Sequence, residues 1–522
     1  MLTLHGAGLE ALGQANAYEH KNWAHIVAPT NRRPYGFDWE DWGRWDALEV
    51  LAIAESQLGT DSRRTYLTGH SMGGHGTWHL GSLFPDRFAA IAPSAGWISF
   101  RSYTNAGSSP AKNRIEHMLR RAASSSDTLS RSQNFAASGI YILHGEIDDS
   151  VPVTEARAMR SHLAEFHTNF AYYGRPGAGH WWGNECVDWP PLFDFMRDHE
   201  TPETRDVRHL QFATSNPAVS ATCHWATIAA QSRPLEISSI NLSVNATDRR
   251  ISGTTHNVSR LGIDLAKLAC MATAEPGDPP ALSPGVPVTV RIDEFEIKDV
   301  PWPRDASHLW LKKTDGTWQV TSKPSPALKG PHRYGPFKEA FNREFAFVYG
   351  TQGTREENEW AFAKARFDAE TFWYRANGSV DVWADHEFNA ATDPDRSVIL
   401  YGHADSNAAW DVLLSSSPVR VTRNRITIGE RELAGADLAC LFLRPRPGSD
   451  VALVGVVTGT SVEGMRLTNA LLYFVSGIGY PDCIVLSKDV LTQGIAGVLL
   501  AGFFGVDWSV TNGDFVSPKT QR

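Results

Sequence analysis

The sequence predicts an α/β fold at both ends of the chain with an all-β segment between them. Three observations predict it. Over the first 200 residues, short apolar runs alternate with helical stretches. Near Thr201-Pro202-Glu203-Thr204 the apolar pattern changes to period two, and from Phe345 the alternation of strand and helix returns. At 522 residues the chain is also too long for one ordinary core. We place the domains at residues 1–203, 204–325 and 336–515.

In the first segment the expected strands are Leu2–His5, His25–Ala28, Arg64–Thr68, Phe88–Pro93, Gly139–Leu143 and Asn169–Tyr173. Helices are expected at Trp45–Leu58 and Gly73–Leu83. In the second, Ile240, Leu242 and Val244, then Val286, Val288, Val290 and Ile292, alternate as half-buried strands do. Asp315-Gly316 between His308–Lys313 and Thr317–Thr321 marks a hairpin. The period-two runs predict an antiparallel β-sandwich. In the third, strands are expected at Phe345–Tyr349, Val380–Trp383, Val398–Tyr401, Leu438–Leu443, Val451–Val457 and Cys483–Leu486. Arg355–Tyr374 is a helix with acidic residues in its first turn, where the helix dipole favours them.

Composition narrows the function. The hydrophobic fraction of 42% is that of a globular protein, and a net charge of −9 with no basic run argues against a nucleic-acid partner, so none is expected. No run reaches the ~20 apolar residues of a membrane span; the most apolar stretch, 494–505, reads as a buried strand and turn. Cys186, Cys223, Cys270, Cys440 and Cys483 are odd in number and show no metal-binding spacing. No metal and no cofactor are expected. Because the chain opens directly on a core strand, we expect an upstream segment, and a secreted or periplasmic location if that segment carries a signal.

The chemistry centres on Gly69-His70-Ser71-Met72-Gly73, which follows an apolar strand and precedes a helix. Such a tight strand–turn–helix exposes a nucleophilic serine hydroxyl at a helix N-terminus. A serine needs a histidine base and an orienting carboxylate, here in the order Ser, Asp, His. His144-Gly145-Glu146-Ile147-Asp148-Asp149 and Gly177-Ala178-Gly179-His180-Trp181-Trp182 each follow a strand and supply the acid and the base. The residues alone leave Asp148 and Asp149 open.

These segments, with His5-Gly6-Ala7-Gly8 and Val151-Pro152, resemble the prolyl-oligopeptidase-like and related esterase families of α/β-hydrolases over residues 1 to about 200. The resemblance implies an α/β-hydrolase catalytic domain that here lacks the first two strands. It selects Asp148, the fourth residue after the histidine of the His-Gly pair, and it implies Ser71, Asp148 and His180 as catalytic residues. An oxyanion hole needs two backbone N–H donors. Met72 follows the nucleophile and gives one, and Ala7 in the glycine-bearing first loop gives the other.

Other features read more plainly. His75 and His79 lie four apart on the helix after Ser71 without a third metal ligand, so packing is expected. His70 is expected to line the cleft. The Trp-rich stretch Arg32–Gly43 either lines the cleft or packs on the sheet. Phe347–Thr354 resembles a phosphate loop but reads better as a β–α turn.

The sequence therefore predicts a serine hydrolase acting on a peptide or ester bond, with a small-molecule, peptide or glycan-ester substrate. A carboxylesterase of esterified polysaccharide or small esters is the alternative. A binding or scaffold protein with a vestigial hydrolase domain is the alternative of another class.

Overall fold

The computed structural model describes residues 1–104, 110–269, 282–305 and 307–518; Cys270 lies outside them. The chain forms two compact units: Met1–Ser108, Ser125–Ser232 and Glu236–Pro324 make the first, and the remainder makes the second.

The first unit begins with a parallel sheet of β1 (Leu2–Leu4), β2 (Tyr66–His70), β3 (Ala90–Ser94), β4 (Gly139–Gly145) and β5 (Phe170–Arg175), in that order. Its strands are nearly continuous apolar runs because both faces are covered. Leu67, Ile91, Ile140 and Ile142 pack with Trp39, Met72 and Trp78 on one face. Tyr66, Ala90, Ala92, Tyr141 and Leu143 pack with Leu192, Phe193 and Met196 on the other. The expected strand His25–Ala28 is reduced to a single parallel bridge of Val27 to Leu2 on the outer edge of β1. Val27 gives its N–H to Met1 and takes one from Thr3, and the His25 carbonyl accepts from the Met1 amino group.

Ten further strands follow in this unit: β6 (His209–Thr214), β7 (Thr222–Cys223), β8 (Ala226–Gln231), β9 (Ser238–Asn245), β10 (Arg250–His256), β11 (Val258–Asp264), β12 (Val288–Ile292), β13 (Phe295–Val300), β14 (His308–Thr314) and β15 (Thr317–Thr321). They form two sheets, β13-β12-β10-β9-β6 and β15-β14-β11-β8-β7. The sheets share one core, with Phe212, Leu242, Ile251 and Val290 from the first against Ile228, Leu261, Leu311 and Trp318 from the second. The expectation of a wholly antiparallel arrangement is corrected at one place, since β10 and β12 pair in parallel. Alternation fixes which face is buried but carries no strand direction. Val286 lies outside β12 and is exposed.

One side chain of the helical layer beside the first sheet pairs with edge strand β6. Asn134 donates from Nδ2 to the Ala213 carbonyl and accepts the Ala213 N–H at Oδ1, both at 2.8 Å.

The second unit holds β16 (Phe345–Tyr349), β17 (Asp381–Ala384), β18 (Ser397–Tyr401), β19 (Val419–Thr422), β20 (Arg425–Ile428), β21 (Arg431–Ala434), β22 (Ala439–Pro445), β23 (Leu453–Gly459), β24 (Cys483–Leu486), β25 (Val498–Phe503) and β26 (Asp514–Val516). Eight form a mixed sheet, β17-β16-β18-β23-β22-β24-β25-β26, parallel through β23 and antiparallel after it. The helix Arg355–Ala376 covers it and starts in a capping box of Thr354 and Glu357. The sheet β19-β20-β21 is an addition to the expected strands. The stretch 494–505 is a 3₁₀ turn, Gly494–Gly497, running into β25. The helix Arg114–Ala122 belongs to this unit, where Arg121 Nη1 pairs with Asp514 at 2.6 Å.

Candidate active site

Ser71 sits between β2 and the helix Met72–Leu83 with φ 59° and ψ −118°, a conformation that a non-glycine residue adopts only under constraint. The constraint comes from glycines that let backbones touch. A Cβ on Gly73 would stand 1.9 Å from the Leu4 carbonyl oxygen, and one on Gly74 would stand 2.3 Å from the Ser94 oxygen. The Ser71 N–H donates to Ser94 O at 2.9 Å, which ties the turn to β3.

Around this turn the structure brings three of the expected side chains into one hydrogen-bonded line. His180 Nε2 lies 2.9 Å from Ser71 Oγ, and His180 Nδ1 lies 2.8 Å from Asp148 Oδ2. The line fixes the tautomer: Nδ1 carries the proton toward the carboxylate, and Nε2 faces the hydroxyl as an acceptor.

Asp148 Oδ1 accepts the amides of Ser150 and Val151, each at 2.9 Å, and His144 Nε2 approaches Oδ2 at 3.2 Å. Burial opposes ionisation of this carboxyl, but the bonds from His144, His180 and the two amides outweigh it and hold it well below the usual carboxylate range. The neighbouring Asp149 is exposed and accepts the Ser150 hydroxyl at 3.3 Å.

The first loop lies beside the serine. A Cβ on Gly6 would be 3.4 Å from both Ser71 Cβ and the His70 carbonyl oxygen. Gly8 N–H donates to Pro34 O, so the exposed Ala7 sits at the turn of this loop. Met72 is the first residue of its helix, and its N–H therefore has no intrahelical acceptor.

His70 is buried, with Nδ1 3.1 Å from Ser94 Oγ and its ring 4.8 Å from that of His180. Burial, aided by the charge of His180, pushes it down to about 3, so it is a neutral wall beside the His180 ring. Trp181, half exposed, meets the other side of His70 edge-on at 5.2 Å. The stretch 32–43 divides its roles. Phe37 and Trp39 are buried, with Trp39 donating to His5 O at 3.0 Å, whereas Tyr35 is exposed and sets its hydroxyl over Gly8.

His75 and His79 are both buried on the helix after Ser71. His75 Nε2 faces Glu40 at 3.3 Å, and Arg44 reaches His79 at 3.5 Å. Cys186 is buried under the His180 loop, where burial pushes its thiol up to about 12.

In the second unit the loop after β16 uses its amides internally. Those of Gly350, Thr351, Gln352, Gly353 and Thr354 donate to Tyr401 O, Asp385, Ser406 O, Asn358 and Glu357 respectively. It is a β–α turn.

Sequence patterns missed the part played by His144, whose ring lies behind the acid, although the motif that carries Asp148 contains it.

Residues 32–194 match the prolyl oligopeptidase family. An uncharacterised secreted protein of Arthroderma benhamiae is 25% identical over 557 residues, covering 99% of this chain and 56% of that protein. The chain thus spans about half the length of this curated relative. Among solved structures, a thermostable esterase is 21% identical over 38% of this chain and 54% of its own, with a TM-score of 0.27. The substrate-bound fluorophosphonate-binding serine hydrolase F of Staphylococcus aureus is 14% identical over 38% of this chain and 81% of its own, with a TM-score of 0.30. With its parallel sheet and the turn at Ser71, the first part of this chain is an α/β-hydrolase-type domain that matches the prolyl oligopeptidase family over residues 32–194.

Proposed function

We propose that the chain is a serine hydrolase that cleaves a peptide or ester bond through Ser71, His180 and Asp148. The observation that carries this is the unbroken line from Asp148 Oδ2 through His180 to Ser71 Oγ, with separations of 2.8 and 2.9 Å. His180 Nε2 takes the Ser71 proton as Oγ attacks the carbonyl carbon. Asp148 holds the ring and stabilises the imidazolium. The Ala7 and Met72 amides receive the oxyanion, and losing one such donor typically slows turnover roughly 100- to 1000-fold. The imidazolium then protonates the leaving group, and water, activated by the same histidine, releases the acyl group. We assign this work to residues 1–203, followed by a sandwich domain at 204–325 and an α/β domain at 336–515.

The test is turnover of a p-nitrophenyl ester together with labelling by a fluorophosphonate probe. Ser71→Ala should abolish both. Full turnover in that variant would overturn the reading.

One observation favours the ester alternative. The all-β segment forms two facing sheets on one core, and among its described residues there is no ring of blades of the kind that filters peptides in prolyl oligopeptidase. Comparing kcat/KM on short peptide amides with acetyl and feruloyl esters separates the two.

A further inference from the structure

One buried carboxylate near the site has no part in the mechanism above. Glu155 lies in the helix Thr154–Leu163, which begins directly after the acid loop. Its Oε2 accepts the Ile98 N–H at 2.8 Å and the Ser102 hydroxyl at 2.7 Å. Both partners belong to the segment 97–103, which leaves the sheet after β3.

That segment touches both halves of the site. On the nucleophile side, His75 belongs to the helix that starts after Ser71 and gives its N–H to the Ser71 carbonyl at 3.0 Å. The His75 ring stacks on Trp97 at 4.7 Å and 9°, and its Nδ1 bonds the Trp97 carbonyl at 3.1 Å. On the acid side, Trp97 stacks on Tyr103 at 4.9 Å, and the Tyr103 hydroxyl donates to Ser150 O at 3.1 Å. Ser150 in turn gives its N–H to Asp148. A continuous path of rings and hydrogen bonds therefore runs from the serine's helix to the carboxylate's loop, and Glu155 fastens its middle.

We propose that Glu155 is a positioning residue for the hydrolytic site: it clamps Trp97–Tyr103 so that the Asp148 loop stays in register with the helix carrying Ser71. This rests on the catalytic reading of Ser71, His180 and Asp148. Hydrogen bonds of Asp148 to His180 act over tenths of an ångström, and misplacement of about 1 Å can slow a reaction by ~100-fold.

The experiment compares Glu155→Ala, Glu155→Gln, Tyr103→Phe and Ser71→Ala in the full chain. It measures kcat and KM on a p-nitrophenyl ester, the pH profile of kcat/KM, and Tm. In Glu155→Ala, kcat should fall roughly 10- to 100-fold with KM within about threefold. The acid limb should move to lower pH, because a loosened Asp148 stabilises the His180 imidazolium less. The titratable groups facing His180 are Asp148 and His70, with His144 behind the carboxylate and the Cys186 thiol at the His180 carbonyl, and none of them is substituted in these variants. Glu155→Gln keeps an oxygen acceptor for Ile98 and Ser102 and should recover most of kcat.

Tyr103→Phe removes one hydroxyl from a partly exposed ring and should shift kcat and the acid limb the same way by a smaller factor. It carries the test should Glu155→Ala fail to fold. A lowered Tm with unchanged kcat and pH profile in Glu155→Ala, or an unchanged profile in Tyr103→Phe, overturns the proposal. If Ser71→Ala keeps turnover, the catalytic reading falls and takes the clamp with it. If Ser71→Ala is inactive while Glu155→Ala behaves as wild type, the clamp alone falls.

Discussion

His144 and Asp148 meet at the oxygen that also serves His180: His144 Nε2 lies 3.2 Å from Asp148 Oδ2, and His180 Nδ1 lies 2.8 Å from it. His144 is the penultimate residue of β4, so Asp148 is supported from the strand that delivers it. Because the Asp148 side chain is inaccessible while Asp149 is exposed, the two neighbours should behave very differently. Asp148→Asn should lower kcat by about 1000- to 10,000-fold, the size expected when the base loses its correct tautomer. Asp149→Asn should stay within about twofold, as surface changes do. Steady-state kinetics on one ester checks both.

The turn at Ser71 makes a steric prediction. Gly73→Ala drives a methyl group to 1.9 Å from the Leu4 carbonyl, so the turn cannot form without moving β1. We expect a loss of at least about 3 kcal/mol in stability, near the upper end for overpacking, and no probe labelling. Gly179→Ala, next to His180, meets nothing within 4 Å and should label and unfold as wild type does. Denaturant melts of the two variants check the contrast.

Glu339 in the second unit predicts a pH dependence of stability. Burial, against the amides of Gly335 and Tyr334, pushes its carboxyl up to about 7. A raised acid pKa means that the folded state binds the extra proton between the unfolded value of ~4.3 and about 7. Stability therefore falls as pH rises through that window and levels off above it. Glu339→Gln keeps an oxygen for the two amides and should flatten the dependence, stabilising the fold at pH 8 on the order of 3 kcal/mol. Urea denaturation at about pH 5 and pH 8 tests it; a variant with the wild-type slope would sink the argument.

Glu357 gives the opposite sign. Burial is outweighed by Arg423, the Thr354 amide and His403, which lower its carboxyl to about 2. Its contribution is present above the unfolded value of ~4.3 and is lost as pH falls toward 2. Glu357→Ala leaves buried His403 without that acceptor and should destabilise by roughly 1–3 kcal/mol, the usual penalty for a buried polar group left without its partner. The same denaturation series at pH 7 and pH 3 should show the deficit shrinking at acid pH.

How much of this was legible in the sequence depended on the range of the interaction. Ser71 and His180 each stand just past a strand, in loops whose glycines and histidines form local patterns, whereas the local pattern leaves Asp148 and Asp149 open and only the family resemblance separates them. The strands of the first sheet were legible because both faces are buried and the runs are apolar throughout. His25–Ala28 has strand composition, but pairing on the outer edge reduces it to one bridge at Val27. The parallel pairing of β10 with β12 leaves no trace in alternation. The small sheet β19-β20-β21 is built from four-residue strands rich in arginine, too short to give a period. Glu155 was illegible because its partners, Ile98 and Ser102, are more than fifty residues away.

The double bond between Asn134 and Ala213 has a consequence for solubility. β6 closes one side of its sheet, and an open sheet edge offers unpaired N–H and C=O groups to any extended chain it meets. The Asn134 carboxamide presents one acceptor and one donor in the manner of a peptide group, so Ala213 already has its neighbour. One side chain acts there as a single link of a missing sixth strand, a guard against edge-to-edge aggregation supplied by a different layer of the same unit.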